Sequence, residues 1–244
     1  MEFKEFLANY RLVDLTHVLE EGTPCLLPYH HMVWMSRELG DGYNAYVLQI
    51  PEHHGTHVDA PSHVGGKKWL DDVDLNAWHG PCQVVNLESK KMGEEISAGD
   101  IMKWEKIYGR LSSGDVVLLR YGWDKRWAVK SRGRRSRRLD RFLKDFPGLS
   151  TEAATYLTRR GVRLVGTDTA TVDSFSAFMR SQTSGVTEPA HTKLLRENNI
   201  PIVEGLRNLN RLPPKGAYFF AFPLSIRHGS GSPVRAVAFV PKER

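Results

Sequence analysis

The first clear pattern in the chain is the alternation Arg11-Leu12-Val13-Asp14-Leu15-Thr16-His17-Val18-Leu19. It predicts a half-buried strand, closed by the breaker run Glu21-Gly22-Thr23-Pro24. Residues 25–41 carry no period and predict an irregular stretch holding Tyr29, His30, His31 and Trp34; loops of that length in compact enzymes often line substrate sites. Residues 43–50 are rich in aromatic and β-branched side chains and predict a strand that delivers the chain into His53. Further strands are predicted over 82–87, 116–120 and 162–165, then at 200–203 ending on Glu204, and finally within 217–224 and 233–240. Helices are predicted over 101–107 behind the Ser97/Asp100 capping pattern, from Ser150 or Thr151 to Arg160 with Gly161 closing it, and over 189–199 with Pro189 at its start. Strands and helices alternate, so the fold class is α/β. Periodicity does not order the sheet.

Composition narrows the setting. The 244 residues fit a single domain, 1–244, with ample material for a core, and an apolar content of 41% with 25% charge suits a soluble globular chain. Cys25 and Cys82 are the only cysteines, so no disulfide framework is expected, which suits a reducing compartment. Residues 1–10 hold Glu2, Lys4 and Glu5 and no apolar run, and no later stretch approaches a membrane span. A cytoplasmic protein without a membrane partner is expected. The net charge of +6 is concentrated in a basic insertion near 125–141, where Lys125, Arg126, Lys130, Arg132, Arg134, Arg135, Arg137, Arg138 and Arg141 face only Asp140. Such a block can bind nucleic acid. Trp127 is its one aromatic and no recognition fold adjoins it, so it reads as a solvated loop or an oligomer contact, with no nucleic-acid partner.

The densest chemistry lies in His53-His54-Gly55-Thr56-His57-Val58-Asp59-Ala60-Pro61-Ser62-His63. Imidazole nitrogen with carboxylate oxygen suits zinc, manganese or iron(II). The Pro61 ring rules out a continuous helix through His57. A fully extended chain, at about 3.3 Å per residue, would carry His53 and His63 roughly 30 Å apart. A strand end that turns at Gly55 and gathers the side chains around one point is therefore expected. No cysteine is near, so an open, catalytic site is favoured over a closed structural one.

The stretch His53-x-Gly55-Thr56-His57-x-Asp59-x-Pro61-x-His63 resembles the H-x-G-T-H-x-D-x-P-x-H signature of the cyclase-like metal-dependent hydrolases, which include bacterial kynurenine formamidases and isatin hydrolases. Three further segments are similar to that family. They are Asp14-Leu15-Thr16-His17, Gly166-Thr167-Asp168 with Thr171 and Asp173, and Pro223-Leu224 through Gly229-Ser230-Gly231-Ser232-Pro233 to Arg235. The likeness runs from Asp14 to Val240 and leaves the basic insertion unmatched.

The resemblance implies a β/β/α swivelling-domain architecture with a mixed, barrel-like central sheet and flanking helices, assembled as a homodimer or homotetramer. It implies a metal site of His53, His57 and Asp59, with His191 and Glu204 as the second half and Asp59 bridging. His191 and Glu204 lie thirteen residues apart, slightly more than the family spacing, which places an extra residue in the turn 197–199. His17 is then structural, Asp168 and Asp173 organise the site floor, and His30 and His31 stay outside the ligand set. The cofactor is zinc or manganese, one or two ions per chain. His63, left over from the ligand count, is the candidate catalytic base and acid. The expected reaction is hydrolysis of a carbonyl–nitrogen bond of a small aromatic or cyclic amide by metal-bound hydroxide, in the setting of tryptophan catabolism. A lactone hydrolase and a non-catalytic metal-binding relative remain as alternatives. Tyr29, Trp34, Trp69, Trp78 and Phe175 either wall a flat substrate pocket or fill the core.

Overall fold

The computed structural model describes Lys4 and residues 8–25, 28–128 and 141–242. The chain runs through β1 (Tyr10–Asp14), β2 (His30–Met35), β3 (Ala45–Gln49), β4 (His57–Asp59), β5 (His79–Asn86) and β6 (Glu95–Ile96). It continues with α1 (Ala98–Tyr108), β7 (Val116–Arg120), β8 (Gly148–Leu149), α2 (Thr151–Arg159), β9 (Leu164–Thr167) and α3 (Phe175–Ser184). Helix α4 (Pro189–His191) passes into a π-helical turn, Thr192–Arg196, before β10 (Ile202–Glu204), β11 (Ala217–Phe220), β12 (Gly231–Pro233) and β13 (Val237–Pro241).

Nine strands form one mixed sheet in the order β1-β13-β11-β5-β7-β9-β10-β4-β12. Its centre, β5-β7-β9-β10, is parallel, and both flanks are antiparallel. Leu15 N donates to Ala236 O at 2.9 Å, extending the β1–β13 pairing. On its other side the same segment meets the chain leaving β10, where Arg207 N donates to Leu15 O at 3.0 Å and Thr16 bridges Leu206. The sheet is therefore curled into a half-barrel, as the expected barrel-like architecture requires.

Residue alternation along the strands assigns the two faces. On β7, Val116 and Leu118 join Val13, Leu15, Val58, Trp78, Val203 and Phe219 inside the curl. Val117 and Leu119 turn the other way, into a second core with Ile101, Trp104, Leu157 and Leu194 from the helices.

Four expectations change. Residues 25–41 are not irregular throughout: β2 pairs with β3 as a separate two-stranded hairpin, outside the main sheet. Its side chains are almost all exposed, so no burial alternation marked it in the sequence. The strand at the metal-type motif follows the Gly55 turn rather than preceding it. The helix from Pro189 is not α-helical throughout: after His191 it gives way to a π turn, Thr192–Arg196. Helix α3 was not expected; Ser174 caps it by accepting from Ala177 N, but its Ser- and Thr-rich sequence is a weak helix former. Most of the basic insertion, residues 129–140, lies outside the described residues.

Candidate metal centre

Gly55 makes the turn into the site. Its φ is +66°, and a Cβ there would stand 2.9 Å from Leu19 Cδ2, so both backbone and space call for glycine. After the turn, His57 and Asp59 are two residues apart on β4 and project from the same face, while Val58 points into the curl. Strand β10 pairs antiparallel with β4 and sets Glu204 opposite His57. Pairing register thus brings two segments that are remote in sequence to one point. His63 sits on the 3-10 turn Pro61–Val64 that follows.

His191 arrives from the other side at the end of α4, where the π-helical turn begins. Asp173 holds it there, accepting from Ala190 N at 2.8 Å and His191 N at 3.0 Å. The His191 ring also lies 2.7 Å from Asp173 through Nδ1. Asp173 is acceptor-only when ionised, so Nδ1 donates to it and Nε2 is the nitrogen turned toward the cluster. That Nε2 faces Asp59 Oδ2 at 3.5 Å and Glu204 Oε1 at 3.4 Å. His57 repeats the arrangement. Its Nδ1 donates to Gly55 O at 3.0 Å, leaving Nε2 3.4 Å from Asp59 Oδ1 and 3.6 Å from Glu204 Oε2. His53 closes on Asp59 Oδ1 through Nδ1 at 2.6 Å. The ring of His63 lies 3.9 Å from that of His53, tilted by 33°, and 5.9 Å from that of His191.

Two groups of ligand atoms, His53/His57/Asp59 and Asp59/His63/His191, each fall within 4.8 Å of one another, and Asp59 belongs to both. His57, Asp59, His191 and Glu204 are buried. Asp59 Oδ2 is buried with no hydrogen-bond partner, a costly state for a carboxylate oxygen unless a cation meets it. Charge tells the same story. Burial opposes ionisation of Asp59, but the positive charge of His53 and the contacts with His191 and His53 outweigh it and hold its pKa well below the usual range. Burial and the Asp59 charge push Glu204 well above its own. Burial also favours the neutral form of His57, against the pull of Asp59. His191 goes the other way: burial opposes its charge, but the contacts with Asp173 and Asp59 and the charge of Glu204 hold its pKa well above the usual range, so a metal bound there would displace its proton. Imidazoles and crowded carboxylates aimed at one centre fit a divalent metal. The site admits His53, His57, Asp59, His191 and Glu204 as holders, and His63 stands close enough to act beside them.

A cavity of about 440 Å³ opens next to these groups. His53, His57, His63, His191 and Glu204 line its polar end; Trp127, Phe142, Leu143, Phe146 and Phe178 wall the other. Ser181, Gln182 and Glu188 add polar atoms along α3 and the loop after it. His17 lies behind the wall, its ring stacked 3.9 Å from that of Trp127 at an interplanar angle of 10°.

Residues 13–174 match the family described as "Putative cyclase". The chain belongs to this cyclase family of metal-dependent hydrolases. An isatin hydrolase from Roseibium aggregatum is 32% identical, over 95% of this chain and 92% of that protein. A kynurenine formamidase from Geobacillus thermodenitrificans is 29% identical, over 92% of this chain and 95% of that one. Among solved structures, an isatin hydrolase bound to the product analogue thioisatinate superposes with a TM-score of 0.85 at 27% identity, covering 99% of this chain and 100% of that one.

For this cyclase-family chain, the residues singled out in the motif and on β10 and α4 come together. The pocket aromatics do not follow the expected list. Trp78 is core, Trp34 and Trp69 are exposed, Tyr29 packs against His54, and Phe175 packs against Phe146. None of the five lines the cavity. The actual wall comes from Trp127, Phe142 and Phe146 around the basic insertion and from Phe178 on α3. The Phe175/Phe178 spacing on one helix face was the available signal for the last. Asp168 is an organiser at a distance: it accepts from Gly122 N at 2.8 Å and Tyr121 N at 3.0 Å, fixing the turn that leads to Trp127. His31 stacks on Tyr46 within the hairpin, 4.4 Å between rings.

Proposed function

We propose that this hydrolase opens the carbonyl–nitrogen bond of a small aromatic cyclic amide of the isatin type. His53, His57, Asp59, His191 and Glu204 hold one or two divalent ions, zinc or manganese, in this reading. The observation that carries it is the convergence of these five donors at the polar end of an aromatic-walled cavity. The likeness to an isatin hydrolase over 95% of the chain supports the cyclic amide.

A divalent metal in such a site polarises a carbonyl and makes water acidic enough to ionise near neutrality. The chain's own residues do the rest. The rings of Trp127, Phe142 and Phe178 receive a flat substrate and turn its polar edge toward His63. His63 is exposed, yet loss of solvent around its ring and the neighbouring imidazoles favour the uncharged form, against the pull of Asp59, so the ring can accept a proton. An imidazole nitrogen of His63 takes a proton from the attacking water and returns it to the departing nitrogen. Asp173 keeps His191 in one tautomer throughout.

A second reading, hydrolysis of an open-chain aromatic formamide such as N-formylkynurenine, is favoured by the 29% identity with a kynurenine formamidase. The test is turnover of isatin and N-formylkynurenine side by side by metal-loaded protein, followed by absorbance. Isatin ring opening with the higher kcat/KM is expected. Preference for the formamide would move the assignment to the open-chain amide, and turnover of neither, with lactones cleaved, would move it to cyclic esters.

The same reading makes the protein a single-domain cytoplasmic homodimer or homotetramer. Exposed Trp34, Leu39, Tyr43 and Tyr46 on and beside the β2–β3 hairpin support self-association.

A further inference from the structure

His53 sits in a seat built by residues distant in sequence. Strand β12 pairs with β4 and puts Gly231 opposite Asp59. A Cβ on Gly231 would stand 2.5 Å from His53 Cε1 and 2.8 Å from its Nδ1, so the imidazole rests directly on glycine backbone. Next to it, Ser230 Oγ lies 2.9 Å from His53 Nε2. Ser230 is held in turn by Glu52, which accepts from the Ser230 hydroxyl at 2.6 Å and from Ser230 N at 3.0 Å.

The direction of this chain is fixed by its ends. An ionised Glu52 only accepts, so the Ser230 hydroxyl gives its proton to Glu52. Ser230 Oγ therefore accepts, and His53 Nε2 must carry hydrogen and donate to it. Nδ1 faces the carboxylate oxygen Asp59 Oδ1 at 2.6 Å. A proton bridges that gap in the metal-free protein, and a cation that displaced it would meet Nδ1, not Nε2.

We propose that Ser230 and Glu52 are positioning residues that hold His53 in the tautomer whose Nδ1, not Nε2, is the metal ligand. They play for His53 the part that Asp173 plays for His191 and the Gly55 carbonyl for His57. The inference rests on the metal-binding half of the proposed function and is independent of the substrate.

The test titrates zinc into metal-free protein against a chromophoric chelator. Ser230→Ala removes only the hydroxyl, and the backbone contacts of residue 230 with Glu52 and Ala60 remain available. Ser230→Ala and Glu52→Gln are expected to bind zinc about 10–100-fold more weakly than the wild type, with Ser230→Thr restoring most of the loss and the metal-free melting temperatures unchanged. Long-range ¹H–¹⁵N spectra of the zinc-loaded wild type should show His53 bound through Nδ1 with its proton on Nε2. Unchanged affinity in both variants, or binding through Nε2, would overturn the inference while leaving the metal site intact. A wild-type protein that takes up no zinc would instead overturn the metal reading itself, and this inference with it.

Discussion

His57, His191 and His53 share one device at the level of the single side chain. In each, one ring nitrogen is tied to a carbonyl, a carboxylate or a hydroxyl, and the other is turned toward Asp59. His63 is different: among the described residues no comparable anchor ties its ring, which lies against the imidazoles of His53 and His191. That contrast separates ligands from base. His63→Ala is expected to keep its full metal content while kcat falls about 10²–10⁴-fold, measured by metal analysis and steady-state kinetics on the same sample. Because Asp59, His63 and His191 also form a possible ligand group, loss of metal in this variant would move His63 into the ligand set. At this scale the sequence was highly legible around residues 53–63, where the chemistry is packed into one turn. Ser230 and Glu52 were not legible as partners of His53, because their proximity depends on the pairing of β12 with β4.

At the level of elements, legibility followed burial. Strand β7 and helix α2 were readable because an apolar run, an N-cap serine and a closing glycine agree. The β2–β3 hairpin buries almost nothing and left no period to read. Helix α1 shows how much local chemistry contributes. Asp100 reaches back to Ser97 N at 3.1 Å, accepts from the Ser97 hydroxyl at 2.8 Å and pairs with Lys90 at 2.9 Å. Burial opposes the charge, but the contacts with Lys90 and Ser97 outweigh it and hold the Asp100 pKa down to about 2. Its contribution to stability is therefore present above the unfolded value of 3.8 and is lost as pH falls toward 2. Asp100→Asn should cost about 1 kcal/mol in urea unfolding at pH 7, and the gap to wild type should narrow below about pH 4. A gap of the same size at every pH down to the acid transition would assign the loss to packing rather than charge.

For the molecule as a whole, the curled sheet is what makes the site. It sets Glu204 on β10 against His57 on β4, and the end of α4 brings His191 to Glu204. Alternation in sequence predicted strands but not their neighbours, so the second half of the metal set was reached only through family resemblance. The cavity wall was reached by neither. Trp127 and Phe142 flank residues 129–140 and carry no periodic signal, yet they line the cavity. Among the described residues no helix is long and apolar enough to cross a membrane.

The central claim is that turnover depends on a divalent metal held by these five donors. It is tested most directly by chelating the protein to a verified metal-free state, assaying isatin ring opening, and then returning zinc or manganese stoichiometrically. The account predicts that activity disappears with the metal and returns with one or two ions per chain. Undiminished turnover by protein shown to be metal-free would contradict it.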